Sequence, residues 1–244
     1  MTGSPVIAVT GLKMEARIVA GPRVLAVSGT GDALGLEHVL KMAIAKQASA
    51  IISFGVAGGL APGLAPGSML VARAIIAEDG ARYYGDPAWS GRLAGALGGV
   101  TICDIAGVDA PVAGCTEKRA LHIKTGAHAA DTESHVAARI AAAHGLPFAA
   151  FRVVADPADR LLPHAALVAM KPDGSIALGA IAGSILRHPL QVPQLLRIAL
   201  DARAAFAALF RGRKTIAGTF GFSDFREFQL DLPAEDELGG PLQV

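Results

Sequence analysis

The sequence contains few cysteines, few aromatic residues and little net charge. Its two cysteines, Cys103 and Cys115, form no CxxC pair, so the sequence indicates neither a disulfide framework nor a zinc site. Aromatic residues make up 5% of the chain and the formal net charge is +1. Both values argue against a nucleic-acid-binding surface, so we expect no nucleic acid partner.

Targeting and membrane signals are also missing from the sequence. The first residues contain no basic region followed by a long apolar stretch, so no signal peptide is predicted. The uncharged segment between Lys46 and Arg73 is interrupted repeatedly by glycine and proline, which would break a membrane-spanning helix. We therefore expect a cytoplasmic protein.

The chain does have enough length and apolar content for one large domain. It has 244 residues, of which 52% are hydrophobic. Short apolar runs such as VIAVTG, AIISFGVAGG and FAAFRVVAD end in turn signals, and helical patterns lie between some of them, at 32–46 and 134–144. This alternation predicts an α/β domain with a largely parallel mixed central sheet.

The composition changes towards the C-terminus. Residues 185–214 form a basic, apolar, helical segment in which Asp201 is the only acid, and residues 215–244 are acidic. We expect residues 1–214 to form the domain and 215–244 a tail. Pro189 and Pro193 are expected to break the basic segment into short helices with a groove between them. The segment either covers the sheet as ordinary amphipathic helices or provides a peripheral contact with anionic membranes.

Carboxylic acids follow several of the apolar runs. Asp131, Glu133 and Asp156 come at or after the ends of two successive runs, and Glu15 follows the first run. Ligands of parallel sheets bind beyond the carboxyl ends of the strands, and a right-handed crossover would bring Glu133 close to Asp156. Each acid also has an ordinary explanation as a helix cap or first-turn residue. Their coincidence at one edge favours a functional site.

Two glycine-rich turns, in VSGTGDALG and in FGVAGGLAPG, lie at the same predicted edge. VSGTGDALG has the spacing GxGxxxG, and the stretch that follows contains no acid at the distance a dinucleotide site requires, so we exclude nicotinamide binding. A phosphate or ribose loop and a simple tight turn remain equally open there. The candidate residues of this loop are Ser28, Gly29, Thr30 and Gly31.

Three segments carry a resemblance to a known family. GVAGGLAPG, DTESHVAARIAAAHGLPF and RVVADPAD together resemble the nucleoside phosphorylase/nucleosidase superfamily, over about residues 5–160. The later segments DPADRLLP and RHPLQVPQLLRIALDARAAFAALFR resemble its hopanoid-associated branch, which removes adenine from adenosylhopane. The resemblance implies a three-layer α/β/α fold, a homo-oligomer and no metal or organic cofactor.

The resemblance also implies roles for individual residues. An acid at the position of Asp156 protonates or hydrogen-bonds N7 of the purine, and an acid at the position of Glu133 holds the ribose hydroxyls. The backbone of one strand would lie along the nucleoside, and a later loop would line the base. The residues at these positions are Val56, Ala57, Gly58 and Val112.

Glu15 bears on the identity of the nucleophile. GLKMEA resembles the nucleosidase motif whose glutamate activates water, whereas many phosphorylases place an arginine nearby to bind phosphate. A glutamate would repel a phosphate dianion, although Lys13, Arg17 or Arg73 could compensate. Water and phosphate, as a co-substrate, therefore both stay open.

Two positions depart from the pattern of the family. Thr132 stands where relatives usually have a methionine packed on the sugar, and Ala155 stands where they usually have a serine beside the catalytic acid. Three hypotheses follow. The chain cleaves adenosylhopane, it is a methylthioadenosine/adenosylhomocysteine nucleosidase with a smaller 5′ pocket, or it binds nucleosides or lipids without catalysis.

Overall fold

The computed structural model describes residues 4–29, 32–163 and 192–222, together with residues 177, 179, 183, 184 and 187. The strands are β1 (Val6–Thr10), β2 (Val24–Ser28), β3 (Ala50–Gly59), β4 (Met69–Ile76), β5 (Arg82–Tyr84), β6 (Thr101–Gly107), β7 (Ala129–Asp131) and β8 (Phe148–Asp156). The helices are α1 (Lys13–Val19), α2 (Ala33–Ile44), α3 (Pro87–Leu97), α4 (Cys115–Thr125), α5 (Ser134–Ala143), α6 (Val192–Thr215) and the short α7 (Ala217–Phe220).

The central sheet is mixed and closes on itself. Strand β3 pairs with β8, β8 with β4, β4 with β6, β6 with β7, and β7 again with β3. Strands β1 and β2 extend the sheet in parallel beyond β3, and β5 adds to β4. Most pairs are parallel, and the antiparallel ones are β3 with β7, β4 with β5 and β4 with β8. The predicted fold class, an α/β domain with a largely parallel mixed sheet, is confirmed.

Side-chain caps and glycines fix the ends of two predicted helices. The Asp32 carboxylate accepts a hydrogen bond from the backbone N–H of Gly35 at 2.6 Å, so α2 begins at Ala33. Helix α5 ends at Ala143, two residues before Gly145, which has a φ of 61°. The helices predicted at 32–46 and 134–144 are therefore present with slightly shorter bounds.

Hydrophobic clusters cover both faces of the sheet. The first cluster contains Leu36 and Leu40 of α2 and Val136 of α5. The second contains Trp89 of α3 and Leu209 of α6, and these pack with the inner residues of β3 and β8. The sheet therefore lies between helices, and its loops at the carboxyl ends of the strands are left to form a site.

The C-terminal segment differs from expectation. Helix α6 is continuous from Val192 to Thr215, and Pro193 lies in its first turn, where a missing N–H costs nothing. Pro193 therefore does not interrupt α6; the predicted break before it falls on residues 188–191, which include Pro189 and lie outside the described residues. Residues 215–222, the start of the predicted tail, pack back on the domain, and Phe220 is fully buried. Within the described residues, no helix combines the length and the apolar character that a membrane span needs.

Candidate active site

The carboxyl ends of four neighbouring strands form the candidate site. Strands β2, β1, β3 and β8 lie side by side in parallel, so their C-terminal ends share one edge of the sheet. The predicted acids and glycine turns follow these strands or the nearby β7. The site is built from two groups of charged side chains at this edge.

The first group is organised by Arg152, a fully buried arginine in the middle of β8. Its Nη2 donates hydrogen bonds to the Ser53 hydroxyl at 2.6 Å, to Asp131 at 3.0 Å and to Glu133 at 3.2 Å. Its Nη1 donates to the carbonyl of Val56 at 3.2 Å. A buried charge is tolerated only when it is paired and hydrogen-bonded, and Arg152 meets both conditions.

Glu15 is buried beside Arg152, with 1% of its surface exposed. One carboxylate oxygen accepts the backbone N–H groups of Gly11 and Leu12 at 2.9 and 2.8 Å. The other accepts the N–H of Val56 at 2.7 Å. Burial raises the pKa of Glu15 to about 7, against the opposing effect of Arg152. Glu15 therefore titrates where a general base works best.

Glu133 lies between the turns that end β1 and β2. Its carboxylate accepts hydrogen bonds from Arg152 and from the hydroxyl of Thr132. Burial raises the pKa of Glu133 above its usual value, and Arg152 opposes this effect. A Cβ on Gly11 would lie 2.6 Å from the Glu133 Oε1, and one on Gly29 would lie 3.6 Å from its Cγ. The absent side chain at Gly11 therefore makes room for this acid.

Asp131 has a structural task. Its Oδ1 accepts the N–H groups of Glu133 and Ser134 at 2.9 and 2.7 Å, and its Oδ2 accepts the Ser134 hydroxyl at 2.7 Å. The side chain of Glu133 makes no capping hydrogen bond to α5. The side chain of Asp131 therefore caps α5, and Glu133 is not an acid of its first turn.

The second group is an ion pair between Asp156 and Lys118. Lys118, on α4, is fully buried, and its Nζ donates to Asp156 Oδ2 at 2.5 Å. Burial raises the pKa of Asp156 above its usual value, and Lys118 opposes this effect. A Cβ on Gly58 would lie 3.4 Å from the Asp156 Oδ2, so this carboxylate lies directly against β3.

The two groups are separated by a short stretch of β3. The N–H of Val56 binds Glu15, whereas Gly58 contacts Asp156. Two residues of extended strand span roughly 7 Å. The side chain of Ala57, between them, belongs to the first hydrophobic cluster, so it offers a ligand only its backbone. Acidic groups therefore flank one strand segment at two separate points.

The remaining predicted residues lie around this edge. Ser28 pairs with Thr10 in the β1–β2 register, and the N–H of Gly29 donates to the Thr10 carbonyl at 2.6 Å. Val112 packs partly buried against a small cluster that includes Leu60 and Val108. Thr30 and Gly31 lie outside the described residues. Ala155 packs against the second hydrophobic cluster.

Arg73, a candidate to compensate for Glu15 at a phosphate site, is held elsewhere. Its Nε and Nη2 donate to the Asp104 carboxylate at 2.8 and 2.9 Å, across strands β4 and β6. The other two candidates, Lys13 and Arg17, are exposed on α1. Among the described residues, no group of histidine, cysteine and acidic side chains could hold a metal ion.

Sequence reasoning missed Arg152 and Lys118. A signal existed for Arg152, which is the one charged residue before Asp156 in the apolar run FAAFRVVAD, and a buried strand holds such a cation only with partners. Lys118 had no such signal, because CTEKRALHIK contains several charges and is typical of a solvent-exposed helix.

A surface cavity of about 290 Å³ near Tyr83 and Phe148 lies at the opposite end of β8 from Asp156.

Comparisons with known proteins agree with this architecture. The family model described as the Phosphorylase superfamily matches residues 5–187, and the chain belongs to this superfamily. The predicted class, an enzyme of the nucleoside phosphorylase and nucleosidase type, is thereby confirmed; the hopanoid-associated branch is not. No protein of curated function matches the sequence.

Solved structures share the fold at low identity. An S-adenosylhomocysteine nucleosidase from Streptococcus pyogenes, in complex with 5-methylthiotubericidin, is 18% identical, with a TM-score of 0.57 over 82% of this chain and 98% of its own. The Campylobacter jejuni 5′-methylthioadenosine/S-adenosylhomocysteine nucleosidase is 15% identical, with a TM-score of 0.58 over 87% and 98%. A futalosine hydrolase mutant from Helicobacter pylori is 14% identical, with a TM-score of 0.54 over 63% and 91%.

Replacing Arg152 by Met is expected to lower the free energy of unfolding by about 3–5 kcal/mol at pH 8, because buried carboxylates lose their cation. Without Arg152 the pKa values of Glu15 and Glu133 rise further in the folded protein. A carboxyl whose pKa is raised in the folded protein destabilises the fold increasingly as the pH rises above its unfolded-state pKa, so the deficit should shrink towards pH 5.

Urea denaturation at both pH values measures this difference. The control is Arg139→Met on α5, which removes a surface pair with Glu37 and should cost less than about 1 kcal/mol. A deficit for Arg152→Met that grows as the pH falls would contradict the assigned electrostatics.

Proposed function

We propose that this protein is a nucleosidase that uses water to cleave the N-glycosidic bond of a 5′-substituted adenosine. One observation carries the proposal. The buried carboxylate of Glu15 accepts hydrogen bonds from the backbone N–H groups of Gly11, Leu12 and Val56, at the edge of the sheet where Glu133 also lies.

These contacts favour water over phosphate as the nucleophile. The N–H groups of a turn that opens a helix are the natural binding site for an anion, and here Glu15 already fills it. A phosphate dianion would also meet the carboxylates of Glu15 and Glu133 in a dry environment, which is strongly repulsive. Arg152 does not offset this repulsion, because its guanidinium already donates hydrogen bonds to Ser53, Asp131 and Glu133.

In the proposed reaction each acid has one task. Glu15 takes a proton from water as the water oxygen attacks C1′. Glu133 accepts hydrogen bonds from the ribose hydroxyls, and these contacts strengthen as the ring gains oxocarbenium character. Asp156 donates a proton to N7, so the base leaves as a neutral purine. Interactions that strengthen in the transition state raise the rate of the chemical step.

The substrate class rests on the comparisons and on one surface. The adenosylhomocysteine and methylthioadenosine nucleosidases among the solved neighbours support a 5′-thioalkyl adenosine as the first candidate. Adenosylhopane becomes the second candidate. Leu161, Leu196 and Leu200 are 50%, 62% and 64% exposed, and Gln194 of α6 hydrogen-bonds the Leu161 carbonyl at 2.9 Å. These exposed leucines follow Asp156 in the chain, and such apolar side chains would suit a longer apolar 5′ group.

The non-catalytic alternative has less support. Thr132 lacks the methionine side chain of relatives, yet its hydroxyl binds Glu133 and so orients that acid. Homo-oligomer formation, a cytoplasmic location, peripheral membrane contact through 185–214 and the absence of an organic cofactor remain predictions.

Product analysis tests the nucleophile and the substrate together. The protein is incubated with 5′-methylthioadenosine, S-adenosylhomocysteine or a 5′-long-chain-alkyl adenosine, with and without phosphate, and the products are identified by mass spectrometry. We expect adenine and a free ribose derivative in both conditions, with the highest kcat/KM on a thioalkyl substrate. A ribose-1-phosphate product would overturn hydrolysis, and a preference for the long-chain analogue would favour the second candidate.

Asp156→Asn is expected to lower kcat by about 10²–10⁴-fold, because the base loses its proton donor. The matched control is Asp159→Asn, an exposed aspartate in the same loop, which should leave kcat unchanged. Steady-state rates of adenine release measure both variants. Near-normal turnover by Asp156→Asn would remove this residue from the mechanism.

The pH profile reports on Glu15. A base must be deprotonated to accept a proton, so kcat/KM should fall about tenfold per pH unit below the Glu15 pKa of about 7. Glu15→Gln should lose most of the activity, and its residual rate should lack this acid limb. An acid limb that persists unchanged in Glu15→Gln would assign the titration to another group.

A further inference from the structure

Lys118 is a buried cation with no role in the mechanism so far. It lies one turn inside α4, and its side chain is fully buried. Its Nζ donates to Asp156 Oδ2 and, at 3.0 Å each, to the carbonyls of Pro157 and Arg160. Lys118 therefore contacts both the proposed acid and the loop that follows it.

These three contacts place one proton between Lys118 and Asp156. The carbonyls of Pro157 and Arg160 can only accept, so Nζ donates an N–H to each of them. The third contact, between Nζ and Asp156 Oδ2, contains one further proton, which either atom can carry. Asp156 therefore shares its proton with Lys118 and does not hold it alone.

The other charged groups near the pair come from α6 and the loop after β8. Asp201 of α6 acts on Asp156 and raises its pKa, in addition to burial. Arg160 is 3.3 Å from Asp201 and partly offsets that negative charge. Lys118 and Asp156 therefore share one proton in a buried environment that disfavours separated charges.

We propose that Lys118 supplies the proton that Asp156 passes to the departing purine, so that the pair and not Asp156 alone is the acid. This inference rests on the proposed nucleosidase function. Lys118 acts through Asp156 and does not touch the substrate, so it is a positioning residue that also holds the transferable proton.

The proton transfers balance over one turnover. The C1′–N9 bond breaks and its electron pair goes to the base, while N7 takes a proton from the Asp156 carboxyl. Asp156 takes its proton from Lys118 Nζ, which becomes a neutral amine. Water gives its oxygen to C1′ and one proton to Glu15. Glu15 then loses a proton to solvent and Lys118 gains one, which restores the starting state.

A lysine behind the acid has a consequence for pH dependence. An isolated carboxylic acid stops donating once the pH exceeds its pKa. Lys118 places a proton source directly beside Asp156, so the acid does not depend on solvent, where protons are scarce at alkaline pH. Lys118 therefore supports acid catalysis at alkaline pH, where Glu15 is deprotonated and ready to accept a proton.

The experiment compares variants of Lys118 on two substrates. Lys118→Met removes the charge at similar length, and Lys118→Gln keeps hydrogen-bond donors without an acidic proton. The matched control is Lys124→Met, an exposed lysine on the same helix. The substrates are 5′-methylthioadenosine and the p-nitrophenyl 5-methylthioribofuranoside, whose phenolate leaves without a proton. Rates are measured at pH 6 and pH 9.

The expected result is a loss that depends on both leaving group and pH. On 5′-methylthioadenosine at pH 9, both Lys118 variants should be slower than the wild type by about 10²-fold, the size of a general-acid contribution. At pH 6 the loss should be smaller, because burial raises the pKa of Asp156 and, without Lys118 to oppose this effect, the carboxyl takes a proton from solvent more readily. On the p-nitrophenyl substrate both variants should remain near the wild-type rate at both pH values, as should Lys124→Met on either substrate.

Other outcomes decide against the proposal. An equal loss on both substrates and at both pH values would make Lys118 a structural clamp, and a gain at pH 9 would mean that it only suppresses the acid. If Lys118→Met does not fold, Lys118→Gln decides. A wild-type protein that cleaves neither substrate would overturn the proposed function itself, and this inference with it.

Discussion

The buried guanidinium of Arg152 is the interaction on which the site depends. It lies in the middle of a strand between two hydrophobic clusters, and it holds Asp131 and Glu133 while exerting its charge on Glu15. Without one cation among them, these carboxylates could not be buried together at neutral pH. The pairing makes possible a dry acidic site, in which burial raises the pKa of Glu15 to about 7 and raises the pKa of Glu133 above its usual value.

Strand β3 separates the charged side chains of the candidate site into two groups. The backbone N–H of Val56 donates a hydrogen bond to Glu15 of the first group. Gly58, which has no side chain, lets Asp156 of the second group lie close to the strand. Gly55 completes this arrangement, because a Cβ there would lie 2.6 Å from Glu15 and 2.7 Å from Arg152. One glycine-rich strand thus keeps the two groups of acidic side chains apart within a small space.

Much of this arrangement could be predicted from the sequence, and the exceptions have physical causes. The alternation of apolar runs and helical patterns predicted the fold class, and acids at strand ends identified Glu15, Glu133 and Asp156. The partners of these acids were harder to find, since a cation inside a strand or helix is recognised by its three-dimensional neighbours. Lys118 is the clearest case, because helix α4 looks exposed by composition and buries this one charge. The continuity of α6 was also missed, since the first-turn position of Pro193 depends on where the helix begins.

The aromatic contact at the end of α7 has a consequence for synthesis on the ribosome. The ring of Phe220 lies 5.7 Å from that of Phe54, which in turn lies 5.5 Å from Phe151, and the Trp89 indole donates to the Phe220 carbonyl at 2.8 Å. The second hydrophobic cluster therefore stays incomplete until residue 220 has emerged from the exit tunnel. A nascent chain stalled before that point would expose aromatic surface and present itself to chaperones, however complete its catalytic residues were.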